Sequence, residues 1–186
     1  MVVARLDAPS REVRALQASL SSFEAQRAER FRFERHRRRF IVTRGRLRQQ
    51  LGARLGMRPE AVEFAYGANG KPCLKHNRWH FNVSHCDDVA LFAFSKSSAV
   101  GVDVEAIRPI READAIAAQF FSPFERLACE IDDPLGFLRC WTRKEALVKA
   151  LGDGLSKPQE KPAPGWRVHS FFPARGFIAA IAYHHG

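Results

Sequence analysis

No apolar run in this chain approaches the roughly 20 residues that a helix needs to cross a bilayer. The opening segment, Met1 to Ser10, carries Arg5 and Asp7 where a secretory leader would be apolar. A cytoplasmic protein that stays out of the membrane is expected. Cysteine is sparse and scattered, at Cys73, Cys86, Cys129 and Cys140, with no close pair and no histidine at zinc-ligand spacing. That excludes a disulfide framework or a zinc site as the organising feature, and all four are expected as reduced thiols. Cys86 directly follows His85, but neighbours on a strand point opposite ways, which weakens a thiolate-imidazole pair. Acidic residues are also short: 20 Asp and Glu stand against 30 Lys and Arg, a net charge of +10. Net charge speaks to partners more than to fold, and this one calls for a polyanion.

A chain of 186 residues with 46% hydrophobic content can bury an ordinary core, as one domain or two small ones. Its basic residues concentrate between Arg27 and Arg48, where Arg30, Arg32, Arg35, Arg37, Arg38, Arg39, Arg44 and Arg46 surround only Glu29 and Glu34. A solvated helix face is the bland account. One-sided charge on a helix repels itself, however, so a phosphate ligand or an acidic protein surface explains the cluster more economically.

Strands are expected at Val2 to Leu6, Val62 to Tyr66, Trp166 to Phe172 and Phe177 to Ala182. Phe81 to Ser84 and Val89 to Phe94 should form a hairpin around His85-Cys86-Asp87-Asp88, with Ala99 to Glu105 lying next to it. Helices are expected at Glu12 to Leu20, through the arginine-rich region to Gly56, at Ala113 to Gln119 and at Pro123 to Cys129, before a long last helix. Gly67-Ala68-Asn69-Gly70 marks a turn, and Pro158, Pro162 and Pro164 mark a loop. A sparse internal echo joins Arg39, Leu47, Leu51 and Gly52 to Arg139, Leu147, Leu151 and Gly152. It suggests two similar α+β halves with a ligand cleft between them.

Two stretches carry chemistry. In Ala99 to Ile107, Val100, Val102 and Val104 alternate as in a half-buried strand, so Asp103 and Glu105 share its other face. Paired like charges need water or a cation; a plain exposed polar face would also accommodate them. Further on, Phe137, Leu138, Trp141, Leu147, Val148 and Leu151 recur at helical spacing, which aligns Trp141, Glu145 and Lys149 along one face. Alone, Glu145 and Lys149 are an ordinary surface pair. Joined to the acidic strand they supply what a magnesium-phosphate site wants: hard carboxylate oxygens for the cation and an ammonium for the phosphate.

With these stretches in view, the chain resembles the 4′-phosphopantetheinyl transferase superfamily, in its monomeric two-subdomain type that activates surfactin-synthetase-like carrier proteins. Five blocks carry the resemblance in order: Gly70-Lys71-Pro72, Phe81-Asn82-Val83-Ser84-His85, Gly101 to Glu105, Phe120-Phe121-Ser122-Pro123-Phe124-Glu125, and Trp141 to Lys149. It implies an α+β fold of two similar subdomains, 1–99 and 100–186, related by a pseudo-twofold axis with the active-site cleft between them. It places Mg²⁺, with Mn²⁺ as the alternative, on Asp103, Glu105 and Glu145. Glu145, or a water it holds, would deprotonate the attacking serine, and Lys149 would contact the coenzyme A phosphates. Lys71, Ser84 and His85 are placed on the 3′-phosphoadenosine end, with Arg39 and Arg44 as further candidates. The implied reaction moves 4′-phosphopantetheine from coenzyme A to a serine of an acidic acyl or peptidyl carrier protein, releasing 3′,5′-ADP. A monomer is expected. Cys86 departs from the family, which often has a small hydroxyl residue after Ser-His.

Two other classes compete. A magnesium-dependent nuclease would also use paired carboxylates and a basic surface, but such sites often need a lysine two residues after an acid, where this chain has Ile107 and Leu147. A nucleic-acid-binding module could rest on the arginines with Phe31, Phe33 and Phe40. It leaves the acidic strand unexplained, so nucleic acid is not the expected partner.

Overall fold

The computed structural model describes residues 1–67, 70–76, 79–128, 134–152, 154 and 164–185. Ala68, Asn69, Cys129, Pro158 and Pro162 lie outside the described residues. The architecture is α+β, with helices and antiparallel sheets. Its contacts divide it into two compact units, one of residues 4–65 and 74–76 and the other of residues 1–3, 66–73 and 77–186.

The smaller unit is built from helices α1 (Ser10–Gln17), α2 (Ser22–Glu29) and α3 (Glu34–Leu55). The continuous arginine-rich helix expected from sequence is thus two helices. Ser21 caps α2 reciprocally with Glu24: the Glu24 amide donates to the serine hydroxyl and the Ser21 amide to the glutamate. Helix α3 ends at Gly56, whose φ of 67° is the left-handed conformation that suits glycine after a helix. The arginine cluster is largely absorbed here. Arg38 donates to the Ala8 carbonyl and Ser10, Arg46 to Glu12 and the Arg5 carbonyl, and Arg37 pairs with Glu29 and Glu34. Arg48 and Glu24, both almost fully buried, meet at 2.6 Å. Much of the charge that pointed to an outside polyanion therefore ties this unit together.

In the larger unit, strand β4 (His80–Cys86) pairs with β5 (Val89–Ser95) across the Asp87-Asp88 turn. Strand β1 (Val2–Arg5) completes a sheet in the order β1-β5-β4. A two-stranded ribbon joins β2 (Phe64–Tyr66) to β3 (Pro72–Leu74), a strand that sequence had not indicated. A third sheet, in the order β6-β8-β7, contains β6 (Val100–Ala106), β7 (Trp166–Phe171) and β8 (Phe177–His184). The acidic strand lies next to the hairpin, as expected, but through side chains; its backbone ladder is formed with β8, in a different sheet. Valines 100, 102 and 104 still do what their alternation implies, packing with Val89, Leu91, Ala93, Phe177 and Ala179.

Helices α4 (Ala113–Phe120), α5 (Pro123–Ala128) and α6 (Pro134–Leu151) complete this unit. Ser122 and Glu125 form a second reciprocal cap at the start of α5. Each unit thus has a short helix opened by Ser-x-Phe-Glu, and in each that glutamate grips a buried cation on a long helix: Arg48 for Glu24, Lys144 for Glu125. Phe137 and Leu138 anchor α6 on Phe121 and Ile178, with Trp141 stacked beside Phe137. Farther along, Ala146 and Ala150 pack on Ala180 and Ala182. Cys73 and Cys86 stand outside any disulfide, whereas Cys140 is disulfide-bonded, which corrects the expectation of four reduced cysteines.

Candidate active site

Small residues bring α6 down onto β6. A Cβ added at Gly101 would lie 2.0 Å from the Ala146 carbonyl oxygen and 2.5 Å from the Ala150 nitrogen, so only glycine admits this approach. The consequence is reach: the Lys149 side chain, one residue before Ala150, extends to the carboxylate of Asp103.

Asp103 is 3% exposed, which rules out a plain solvated face for the acidic strand. Its Oδ1 receives the Lys149 ammonium at 2.5 Å and the Ser84 hydroxyl at 2.9 Å, and Lys149 also donates to Ser84 Oγ at 3.2 Å. Its Oδ2 is buried with no hydrogen-bond partner among the described residues. A buried carboxylate oxygen without a donor is unfavourable unless something outside the chain completes it.

Glu105 and Glu145 join the same electrostatic group. Burial raises the carboxyl of Glu105 above the usual range and the negative charge of Asp103 pushes it further, while Cys86, Lys149 and Arg108 oppose the rise. Burial likewise raises Glu145; Lys149 pulls it back, and Asp103 and Glu105 add to the rise. Acids from a strand and a helix thus share one field, and in it the ionised forms of Glu105 and Glu145 are disfavoured. Among the described residues, no three His, Cys, Asp or Glu side chains stand as a ready-made metal cluster. The donor chemistry nevertheless fits a hard cation: all oxygen, partly buried, with one orphaned atom.

The remaining candidates occupy varied settings. Lys71 donates to the Lys149 and Ala150 carbonyls, where it caps the last turn of α6, and burial lowers its ammonium below the usual lysine range. His85 is exposed, on the face of β4 opposite Ser84. Arg39 and Arg44 belong to the smaller unit, where Arg39 lies 3.8 Å from Asp7 and Arg44 lies 3.3 Å from Glu24 and over the ring of Phe64.

Sequence reasoning missed three contacts: the bond from Ser84 to Asp103, the bond from Cys86 to Glu105, and the grip of Lys144 on both oxygens of Glu125 at 3.0–3.1 Å. The first two had a faint signal, since Ser84 and Cys86 repeat the two-residue spacing of Asp103 and Glu105.

Comparison with known proteins decides the lineage. Residues 99–176 match the 4′-phosphopantetheinyl transferase superfamily model, and residues 7–97 match the 4′-phosphopantetheinyl transferase N-terminal model. The 4′-phosphopantetheinyl transferase HetI of Nostoc sp. is 38% identical over 198 residues, covering 95% of this chain and 84% of that protein. The chain belongs to the 4′-phosphopantetheinyl transferase superfamily. Two further members show the spread. The transferase psf-1 of Bacillus pumilus is 32% identical over 156 residues, 78% of this chain and 64% of that protein. Sfp of Bacillus subtilis is 36% identical over 102 residues, 52% of this chain and 44% of its own length. Among the described residues no helix is long and apolar enough to cross a membrane.

Proposed function

We propose that this chain transfers the 4′-phosphopantetheine group of coenzyme A to a serine of an apo-acyl or peptidyl carrier protein and releases 3′,5′-ADP. The observation that carries this reading is the cluster of Ser84, Asp103 and Lys149, with Glu105 and Glu145 in the same field. Family membership supplies the reaction class, and the cluster supplies residues able to perform it.

In the proposed reaction Glu145, or a water it holds, takes the proton of the serine hydroxyl, which is a poor nucleophile until that proton leaves. A carboxyl raised by burial is better suited to accept it near neutral pH than an ordinary one. The serine oxygen bonds to the phosphorus nearer pantetheine, and the bond from that phosphorus to the bridging oxygen of 3′,5′-ADP breaks. Lys149 neutralises phosphate oxygens as a point charge. Mg²⁺, with Mn²⁺ as the alternative, would sit on Asp103, Glu105 and Glu145 and supply charge neutralisation to the diphosphate. Lys149 now rests against Asp103; transfer of that ammonium to the phosphate would leave the carboxylate for the cation.

Lys71, the Ser84-His85 element, Arg39 and Arg44 are the proposed contacts to the rest of coenzyme A. We assign the N-terminal subdomain to residues 1–99 and the C-terminal one to 100–186; family matches over 7–97 and 99–176 support a division in this region. The protein is proposed to work as a cytoplasmic monomer, and its +10 charge suits an acidic carrier approached by electrostatic steering. Incubation with coenzyme A, Mg²⁺ and a panel of apo-carrier proteins, read by intact-mass spectrometry, tests the proposal. A phosphopantetheine mass gain on at least one carrier is expected, and no gain on any carrier would contradict it.

A further inference from the structure

Three alternating side chains of β4 reach across to β6, although the two strands belong to different sheets. Asn82 Oδ1 accepts from the Val102 amide at 2.9 Å, Ser84 Oγ donates to Asp103 Oδ1 at 2.9 Å, and Cys86 Sγ donates to Glu105 Oε2 at 3.6 Å. The two-residue period of β4 is thus matched, hydroxyl to carboxylate and thiol to carboxylate, with the two-residue period of the acidic pair. Asn82 fixes the register of this side-chain ladder, since its partner is the backbone of β6. Ser84 and Asn82 are both more than nine-tenths buried, so water does not compete for these bonds.

A carboxylate with one oxygen held by a donor has lost much of its rotational freedom. Its other oxygen then points in a set direction, and at Asp103 that oxygen is the buried, unpartnered Oδ2.

We infer that Ser84 and Cys86 are positioning residues, which act through Asp103 and Glu105 by fixing the direction in which these carboxylates meet a divalent cation. The inference rests on the cation site proposed above and deepens it. For Ser84 it adds a role behind Asp103 to the proposed contact with coenzyme A. For Cys86 it gives a role to the thiol: a thiol is a weaker, longer donor, and its 3.6 Å reach still spans to Glu105.

The test is a Mn²⁺ titration of the full chain at saturating coenzyme A, with free Mn²⁺ followed by electron paramagnetic resonance and folding checked by circular dichroism. Loss of a donor behind a metal ligand weakens affinity by about 10–100-fold in well-studied sites, so Ser84→Ala is expected to lose about tenfold or more. Cys86→Ala should lose less, about threefold, because the thiol is the weaker donor. Ser84→Thr and Cys86→Ser restore a hydroxyl and should recover most of the affinity. In transfer assays the loss should appear as a higher Mn²⁺ requirement, with kcat recovering at saturating metal.

Wild-type affinity in both alanine variants would overturn the inference while leaving the cation site standing. Equal losses in the alanine and hydroxyl-restoring variants would also overturn it, since packing alone would then explain them. Failure of the unmodified protein to bind Mn²⁺ would overturn the cation site and the inference together. If Ser84→Ala does not fold, Cys86→Ala on the half-buried rim carries the test.

Discussion

Lys149 holds its ammonium 2.5 Å from one oxygen of Asp103 while the other oxygen of that carboxylate is buried and unpartnered. A single lysine therefore balances only part of the charge of three neighbouring carboxylates. Asp103→Ala and Glu145→Gln are predicted to abolish transfer while leaving the fold intact. Intact-mass assays beside circular dichroism check this, and wild-type-like turnover in either variant would remove the metal-site argument.

The same field opposes stability. Burial raises Glu105 and Glu145, so each holds its proton more tightly folded than unfolded. The stability that such a group contributes is fully present below its unfolded pKa and is lost as pH rises through the folded one. Glu105→Gln and Glu145→Gln should therefore melt slightly higher than wild type near neutral pH, by about 1–2 °C given solvent screening of half-buried groups, and the gain should vanish in acid. Calorimetry across pH reads the sign.

Lys71 and His85 should separate in ligand discrimination. His85→Ala is predicted to weaken coenzyme A more than dephospho-coenzyme A, as a role at the 3′-phosphate requires. Lys71→Ala should do the same and also lower Tm, because two terminal carbonyls of α6 lose their donor. Calorimetric titration with both ligands checks this; equal losses for both would contradict a 3′-phosphate role.

In the smaller unit, Glu24→Ala leaves Arg48 buried without its carboxylate. Breaking one side of a buried pair is strongly destabilising, by about 3–5 kcal/mol, and α2 loses its reciprocal cap as well. Denaturant unfolding should show the loss, and an effect within about 0.5 kcal/mol would make the pair incidental.

Gly101→Ala is predicted to destabilise the protein by about 1–3 kcal/mol and to reduce transfer, because the added methyl pushes against the backbone of α6 that carries Glu145 and Lys149. Unfolding and transfer assays on one preparation check both effects.

Much of this site was legible before any coordinates. The alternation of Val100, Val102 and Val104 set the strand face that carries Asp103 and Glu105, and the four-residue spacing of Trp141, Glu145 and Lys149 set the helix face. Tertiary partners were not legible. Strand periodicity says which side chains share a face but not which strand lies opposite, so the pairing of β6 with β8 and the ladder from β4 stayed hidden. The arginine cluster misled for a related reason: Glu24 and Glu12 lie near Arg48 and Arg46 in space but 24 and 34 residues away in sequence.

The central claim is that acids from β6 and α6 gather around one cation that grips a diphosphate. A crystal soaked with Mn²⁺ and coenzyme A, read by anomalous scattering, tests it most directly. The account predicts one peak at roughly 2.0–2.2 Å from oxygens of Asp103, Glu105 and Glu145, with diphosphate oxygens completing the shell. A peak elsewhere, or one that leaves Glu145 out of coordination, would contradict it.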